Sequence, residues 1–428
     1  MTENNYTKCL DEMFGLRRFG IKLGLDVITN ILNNLKNPEQ KFSCIHIAGT
    51  NGKGSIASAL ATILHASGYK TGLYTSPHLV TFNERICINN TQISNDDVIT
   101  SYQAVKKACR GMREPTFFEY TTAMALYQFA KSAVNWAVIE TGMGGRLDAT
   151  NILCPNLSIV TNISLEHRSY LGNTIAEIAG EKGGIIKART PVVTGVTQKN
   201  AITVIKEIAS KKSAPLYRLK KHFHVRRNQN GSFSYSGIDH QWQGLKTNLP
   251  GGHQIDNAAL VLAACEVLQQ QNVLLQFDTI KNCLKTYKWP GRLEIIDSSP
   301  IIIIDGAHNL MAARYLSKFL KENLADKDIT LIIGVLDDKP YESILKSLLP
   351  NCNRVILTRP EIDRSLSPET LYPYAAAILT NTEIVADVGD AVNHALDTTP
   401  PDAAICIAGS LYVVGEAKQA LEIRGIKS

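Results

Sequence analysis

The chain has 428 residues, of which 44% are hydrophobic, and a formal net charge of +6. It is too long for one ordinary hydrophobic core, so we expect two domains, or three. Five basic pairs are spread along the sequence rather than grouped, which argues against a nucleic-acid-binding protein and allows anionic small molecules as ligands. The nine cysteines include no Cys-x-x-Cys pair, the first ten residues lack a signal-peptide core, and no apolar run is longer than a strand. These features predict a cytoplasmic protein that does not contact membranes.

A glycine-rich loop stands between a predicted buried strand and a predicted helix. It comprises Gly49, Thr50, Asn51, Gly52, Lys53, Gly54 and Ser55. Glycines let the backbone approach a ligand closely, the N-terminus of a helix favours anions, and Lys53 adds a full positive charge. The loop departs from the common phosphate-binding pattern, because Ile47 stands where a glycine is usual and Gly54 separates Lys53 from Ser55. It predicts a site for a nucleoside triphosphate; the alternative is a glycine-rich turn with a solvated lysine.

In chain order, two helical patterns precede this loop, and strands alternate with helices after it. The first helices are expected near residues 6–16 and 26–35, on either side of a glycine-bracketed turn that contains Lys22. Apolar strands are predicted at 71–75, 136–140, 157–161 and 191–194, and helices near 96–109, 119–131 and 174–187. This alternation predicts a mostly parallel sheet with helices on both faces, whose ligands gather at the carboxyl ends of the strands.

The second half of the chain predicts an insertion and a further domain. Short alternating segments around Asn230-Gly231 predict a hairpin insertion near 214–246, followed by a helix at 255–268. Proline and glycine in residues 289–292 mark an interdomain joint. Strands at 301–305, 330–334, 354–358 and 404–408 then alternate with helices. We therefore predict an α/β protein with an ATP-binding domain at 1–289, built on a mostly parallel sheet, and a smaller doubly wound α/β domain at 290–428.

Polar side chains stand at the carboxyl ends of several predicted strands. Glu140 ends one strand, and His167 lies just beyond the next. A carboxylate beside a phosphate loop is a suitable Mg²⁺ ligand, because the metal must bridge phosphate oxygens and a hard protein oxygen. The alternatives are an acid that caps a turn and an ordinary loop histidine. Lys182 lies among apolar neighbours and could be modified or catalytic, although most such lysines extend to the surface.

A similar group of side chains occurs in the predicted C-terminal domain. Asp305 and His308 follow a strand, and Arg292 lies at the predicted joint. These groups could contact a nucleotide from the side opposite the phosphate loop. Closure of two domains over a triphosphate would exclude the water that hydrolyses an activated intermediate.

Nine short motifs follow one another along nearly the whole chain. They cover residues 20–25, 49–55, 74–79 with 82–85, 116–120, 140–151, 181–182, 253–254 with 257, 290–294 and 305–309. In this order they resemble the folylpolyglutamate synthase and dihydrofolate synthase family of ATP-dependent amide ligases, within the Mur ligase superfamily. Local departures are Glu166, where the family usually has aspartate, Gly183 in place of alanine, and Leu310 where proline often follows.

The resemblance implies roles for individual residues. The phosphates of ATP would be held by Gly49 to Ser55, and the rest of the nucleotide by Asn257, Arg292 and Asp305. The ligands of Mg²⁺ would be Ser76, Glu140 and His167, and the pterin substrate would contact Lys22, Leu23, Gly24, Leu25, Arg85, Thr116 and Leu147. Lys182 matches the family's carbamylated lysine. The candidate catalytic residues are Lys53, Lys182, His167 and His308.

The implied reaction joins L-glutamate to dihydropteroate, to a reduced folate, or to both. ATP would phosphorylate the acceptor carboxylate, and the amino group of glutamate would then displace phosphate. The protein is expected to be a monomer. One alternative is another Mur-type ligase that acts on a peptidoglycan precursor, and a second is a nucleotide-binding regulatory module without chemistry of its own.

Overall fold

The computed structural model describes residues 2–16, 20, 22–109, 113–229, 231–296 and 299–426. The chain forms two compact units. Unit 1 contains residues 1–78, 82–248 and 254–287, and unit 2 contains residues 79–81, 249–253 and 288–428. Unit 2 thus includes two short segments from within the predicted N-terminal domain, which no sequence pattern indicates. Within the described residues, none of the helices combines the length and the apolar composition needed to cross a membrane.

Unit 1 is built on an eight-stranded sheet. Its strands are β1 (Ser43–Ala48), β2 (Thr71–Tyr74), β3 (Ile86–Ile88), β4 (Thr91–Gln92), β5 (Trp136–Glu140), β6 (Leu157–Val160), β7 (Val192–Thr194) and β8 (Leu216–Arg218). They lie in the order β4-β3-β2-β5-β1-β6-β7-β8, in which β3 is antiparallel to both of its neighbours, β2 and β4, and all other neighbouring pairs are parallel. In the centre, Ile47 of β1 lies opposite Glu140 of β5 and Ile159 of β6. The carboxyl ends of β1, β5 and β6 therefore meet at one edge of the sheet.

Ten helices are described in and beside this unit. They are α1 (Thr2–Gly15), α2 (Asp26–Asn34), α3 (Lys53–Ala66), α4 (Asn95–Ala108), α5 (Phe117–Lys131), α6 (Arg168–Leu171), α7 (Ile175–Gly183), α8 (Lys199–Lys211), α9 (Gly252–Gln270) and α10 (Phe277–Thr286). Capping boxes start α5 and α7, where Thr116 and Thr174 each exchange hydrogen bonds with a glutamate three residues later. Helix α7 ends four residues before the predicted bound, at a pair of glycines that disfavour helix.

A second, smaller sheet follows β8 and differs from the predicted hairpin. It contains β9 (His224–Arg227), β10 (Phe233–Ser236) and β11 (Gln241–Leu245), which are antiparallel in the order β11-β10-β9. Part of the predicted insertion is thus β8, which joins the main sheet, and the rest forms three strands instead of two. Asn230, at the predicted hairpin turn, lies outside the described residues.

One buried carboxylate attaches this small sheet to helix α9. Glu266 of α9 is fully buried and accepts a hydrogen bond from the hydroxyl of Tyr235, 2.5 Å away. It also accepts hydrogen bonds of 2.8–3.1 Å from the backbone amides of residues 238–240, between β10 and β11. A buried carboxylate is stable when its oxygens are saturated in this way. The small sheet is therefore fixed to α9.

Unit 2 has a six-stranded sheet with helices on both faces. Its strands are β12 (Glu294–Ile296), β13 (Ile301–Ile304), β14 (Ile329–Ile333), β15 (Arg354–Leu357), β16 (Thr382–Ile384) and β17 (Ala404–Ala408). Its helices are α11 (Leu310–Asn323), α12 (Tyr341–Leu348), α13 (Pro368–Ala376), α14 (Val388–Thr398) and α15 (Leu411–Ile423). The strand order is β12-β13-β17-β14-β15-β16, and β12 alone of these is antiparallel to its neighbour. Helices α11, α12 and α13 cover one face, and α14 and α15 cover the other. The predicted α/β fold class is confirmed.

Candidate active site

The glycine-rich loop joins the end of β1 to the start of α3, and the helix already begins at Lys53, within the seven residues of the predicted loop. Gly52 precedes the helix with a φ of +85°, a conformation that L-residues rarely adopt. A Cβ atom at Gly52 would lie 2.6 Å from Oδ1 of Asn257, and one at Gly49 would lie 1.8 Å from Oγ1 of Thr161. The loop therefore has no room for side chains at these two positions, and its backbone stays accessible at the helix N-terminus.

Residues just after β6 hold this loop in place. Thr161 Oγ1 donates to the carbonyl oxygen of Asn51 at 2.7 Å. The side chain of Asn162 forms two hydrogen bonds with the backbone of Asn51. Its Nδ2 atom donates to the carbonyl oxygen of Asn51, and its Oδ1 atom accepts from the amide of Asn51. The backbone amide of Ser164 donates to Oγ1 of Thr50 at 3.0 Å. Thr161 and Asn162 were not among the predicted site residues, although their place at the end of a parallel strand could have indicated them.

Lys53, Glu140 and Ser76 come together at the same edge. The Nζ atom of Lys53 lies 3.8 Å from Oε1 of Glu140, and it donates to the carbonyl oxygen of Thr50 at 3.2 Å. The other oxygen of Glu140 accepts from the backbone amide of Ser76 at 3.3 Å. The Glu140 side chain is 6% exposed and that of Lys53 is 15% exposed. A buried carboxylate and an ammonium group thus lie beside a loop suited to phosphate.

The same edge offers hard oxygen atoms for a divalent cation. The hydroxyl of Ser55, in the first turn of α3, is shielded from solvent and has no hydrogen-bond partner in the described part of the chain. Together with Glu140 it provides a donor set that suits Mg²⁺, which takes one or two protein oxygens and completes its shell with phosphate and water. Among the described residues, no group of three or more His, Cys, Asp and Glu side chains forms a metal cage. His167 has a φ of +47° and directly precedes α6.

Lys182 is buried and lies next to the loop. Its Nζ atom donates to the carbonyl oxygen of Gly49 at 2.9 Å and to Oε1 of Glu166 at 2.7 Å. Burial would raise the pKa of Glu166, but Lys182 and Lys53 outweigh burial and lower this pKa to about 2. Burial lowers the pKa of Lys182 by more than Glu166 raises it. Glu166 is thus a residue of the site that was not predicted as one. An acid after a strand end is the pattern that indicated Glu140, and the same pattern could have indicated Glu166.

The residues predicted to bind the pterin form two pairs. The backbone amide of Gly24, between Leu23 and Leu25, approaches the carbonyl oxygen of Leu147 at 3.4 Å. Arg85 is 5% exposed, its Nε atom donates to Nδ1 of His78 at 2.7 Å, and its guanidinium lies 5.1 Å from the centre of the Phe117 ring. Thr116, the residue before Phe117, caps helix α5. Arg85 and Thr116 are therefore brought together, and Thr116 has a structural role at the same time.

In unit 2, Arg292, Asp305 and His308 lie around Gly306. A Cβ atom at Gly306 would lie 2.3 Å from Nη1 of Arg292, so this glycine makes room for the guanidinium. Asp305 accepts a hydrogen bond from the backbone amide of Leu293 at 2.7 Å, and Nδ1 of His308 lies 2.8 Å from the carbonyl oxygen of Gly306. Burial raises the pKa of Asp305 to about 6, although Arg292 opposes this shift.

Comparison with known proteins agrees with this arrangement. Residues 47–265 match the Mur ligase middle domain, and residues 291–411 match the Mur ligase glutamate ligase domain. The chain is 33% identical over 419 residues to dihydrofolate synthase/folylpolyglutamate synthase from Bacillus subtilis, an alignment that covers 95% of this chain and 97% of the relative. The phosphate loop, the acid at the end of β5 and these two domains define an ATP-dependent ligase of the Mur type.

Solved structures give the same result. Escherichia coli FolC in complex with DHPP and ADP superposes with a TM-score of 0.90 at 27% identity, covering 97% of this chain and 98% of that one. A bifunctional folylpolyglutamate synthase/dihydrofolate synthase from Yersinia pestis, with Mn, AMPPNP and L-glutamate bound, gives a TM-score of 0.86 at 28% identity and the same coverage. The chain belongs to the folylpolyglutamate synthase/dihydrofolate synthase family.

Proposed function

We propose that this ligase joins L-glutamate to dihydropteroate, to a reduced folate, or to both, with release of ADP and phosphate. The observation that carries the proposal is the contact of Lys53 with Glu140 at the mouth of the glycine-rich loop. Relatives bound to DHPP with ADP, and to AMPPNP with Mn and L-glutamate, support the choice of substrates. A ligase acting on a peptidoglycan precursor is not favoured, because the relatives compared above are folate enzymes.

The chemistry follows from the poor reactivity of a carboxylate. A carboxylate oxygen of the acceptor attacks the γ-phosphorus of ATP, the bond to the β-phosphate oxygen breaks, and ADP leaves. The amino group of glutamate then attacks the acyl phosphate, phosphate departs with the bonding electrons, and the new amide nitrogen loses a proton. In the first step, Lys53 and the backbone amides at the start of α3 stabilise the negative charge on the transferring group.

The divalent cation would be held by Ser55, Ser76, Glu140 and His167, and when bound it neutralises charge on the phosphate oxygens. Glu140 is supported by its place beside Lys53 and the loop, and Ser55 by its unpartnered hydroxyl. Ser76 remains a proposed ligand whose backbone amide donates to Glu140. We retain His167 as a proposed ligand because of its place after β6. These side chains orient the phosphate group that leaves the nucleotide.

We further propose that Lys182 is carbamylated, as in the family it resembles. Its burial favours the neutral amine, which is the form that reacts with carbon dioxide. In the unmodified chain, Glu166 neutralises the ammonium group instead. The remaining roles stay as proposals: Asn257, Arg292 and Asp305 contact the nucleotide, His308 assists catalysis, and the pterin lies along residues 22–25 with Arg85, Thr116 and Leu147.

The expected cellular setting also remains a proposal. All nine cysteines lie in the described part of the chain, and each is a free thiol. This supports a reducing compartment such as the cytoplasm. A monomer that binds small molecules, and neither nucleic acid nor membranes, remains our working proposal.

The decisive experiment offers each acceptor separately. Purified protein is incubated with ATP, Mg²⁺ and L-glutamate, together with dihydropteroate, a reduced folate, or no acceptor. We expect repeated turnover of ATP to ADP only when acceptor and glutamate are both present, and we expect the product to gain the mass of one glutamyl residue. Hydrolysis of ATP without a glutamylated product would contradict the proposed function.

A further inference from the structure

The positive charge of the protein is concentrated in one segment. Residues 199–238 contain nine of the 45 Lys and Arg residues but one of the 39 Asp and Glu residues, so this segment carries +8 and the rest of the chain −2. Three of the five basic pairs lie in it. The prediction that the five basic pairs are spread along the sequence is therefore wrong for these three pairs.

Within this segment, four cationic side chains follow the main sheet at the carboxyl end of β8. We call them the basic surface, and they are Arg218, Lys220, Lys221 and Arg227. Arg226 is left out, because successive residues of a strand point to opposite faces and Arg226 therefore faces away from Arg227. All of them except the half-buried Arg218 are exposed. Because β8 is parallel to β1, its carboxyl end lies at the same edge of the sheet as the phosphate loop. Three strand spacings separate β8 from β1, which is roughly 14 Å at about 4.8 Å each.

A chain of contacts also links the basic surface to the loop. Arg227 lies 3.4 Å from Oδ1 of Asp256, and Lys220 acts electrostatically on the same carboxylate. The next residue along α9 is Asn257, whose side chain occupies the space beside Gly52. Asp256 is therefore an acid on α9 that contacts the basic surface directly beside the residue that packs against the phosphate loop.

We propose that the basic surface attracts the anionic nucleotide and guides it to the phosphate loop. This inference rests on the proposed function for the identity of the ligand, a nucleoside triphosphate. Long-range attraction of this kind raises association rates without changing the chemical step. Charged side chains also protect an edge strand such as β9 from pairing with other chains. If edge protection were the only role of these charges, their distance from the phosphate loop would have no effect on nucleotide association.

A nucleic acid is a poorer match for this surface. Bases of single-stranded nucleic acids stack on exposed aromatic rings. Phe223, Phe233 and Tyr235 of this region are buried and offer no platform for bases, whereas Tyr217 and Trp242 are half-buried. Most of the rings beside the charge are thus closed to stacking, while the charge itself attracts phosphate.

The test reverses two exposed charges and measures nucleotide association. The variant is Lys220→Glu/Lys221→Glu, just after β8, and the matched control is Lys206→Glu/Lys211→Glu on α8. The control makes the same change in net charge, and its Lys211 lies near the amino end of β7, since the backbone of Lys212 accepts a hydrogen bond from the amide of Arg189. Stopped-flow fluorescence follows binding of Mg²⁺ and an N-methylanthraniloyl ATP analogue at two salt concentrations.

The expected effect follows from Coulomb's law in water with Debye screening. For a doubly charged Mg-nucleotide at roughly 14 Å, the variant associates about eightfold more slowly at ~20 mM salt and less than about 1.5-fold more slowly at ~300 mM. The control changes the rate by less than about twofold, and kcat at saturating ATP stays at the wild-type value in both. Equal association rates for the variant and the control at low salt would overturn the inference.

A second arm distinguishes another anion. If a penta-γ-glutamate peptide bound the wild type and lost this binding in Lys220→Glu/Lys221→Glu, while nucleotide association stayed unchanged, the surface would serve the folate tail and the inference would be wrong. Failure of the proposed function would be seen in a different measurement. Wild-type protein would then form no glutamylated product from any acceptor, whatever the nucleotide association rates are.

Discussion

Replacement of Lys53 separates the catalytic role of this residue from its structural role. At 3.8 Å and an effective dielectric constant of about 20, the attraction between Lys53 and Glu140 is about 4 kcal/mol. Desolvation and the partial exposure of the lysine offset most of this energy, so we expect Lys53→Met to lower the free energy of unfolding by about 1–2 kcal/mol. The variant should nevertheless fold, because the loop keeps its hydrogen bonds to Thr161 and Asn162.

Activity should fall much further than stability does. Loss of one charged group that stabilises a transition state typically costs about 10²–10³-fold in kcat. The compensating variant Lys53→Met/Glu140→Gln removes both charges, so its unfolding free energy should return to within about 1 kcal/mol of the wild type while kcat stays low. Urea unfolding measures the first quantity, and glutamate-dependent release of ADP measures the second. Wild-type kcat in Lys53→Met, or recovery of kcat in the double variant, would refute the assigned role of Lys53.

Three further outcomes are expected. Gly52→Ala should weaken binding of an ATP analogue about tenfold, because a Cβ atom at this positive φ would clash with the side-chain amide of Asn257. The control is Gly180→Ala, where a Cβ atom meets no other atom, and it should leave the affinity unchanged in the same titration. Tyr235→Phe should lower the free energy of unfolding by about 1–2 kcal/mol in urea, because it removes a hydrogen bond to the buried Glu266, and kcat should not change. Burial raises the pKa of Asp305 to about 6, so the folded chain binds this proton more tightly than the unfolded chain does. The contribution of Asp305 to the free energy of unfolding is therefore greatest below about pH 4 and is lost as the pH rises to about 6. If the ionised form holds the nucleotide, kcat/KM rises through pH 6, and Asp305→Asn should abolish that step in the pH profile.

Elements with a strong local pattern could be predicted from the sequence. The run Trp136–Glu140 is strand β5 with the predicted bounds, since a buried parallel strand is apolar throughout and ends at its first charged residue. The glycine-rich loop was also recognisable, because its chemistry lies within seven consecutive residues. Helix α10 has buried residues at helical spacing, Ile280, Cys283 and Leu284, and this signal could have indicated it.

Other features depend on contacts that no local pattern records. Strand β8 has three half-buried residues, too few to distinguish it from a loop before its pairing with β7 is known. The ion pair of Glu166 with Lys182 joins residues sixteen positions apart on different elements. Its formation depends on how α7 packs after β6, and the sequence contains no periodic signal for that packing.

The anchoring of helix α9 at two points has a practical consequence. Asn257 stands beside the phosphate loop and Glu266 holds the small sheet, and nine residues of helix set these points about 13 Å apart. The turn between β9 and β10 is closed by two hydrogen bonds between Asn228 and Ser232, one of them between their side chains. A fluorescent dye attached at Gln229, just after β9, would thus lie on the small sheet that α9 joins to the phosphate loop. Its intensity would then record each arrival and departure of the nucleotide in single molecules.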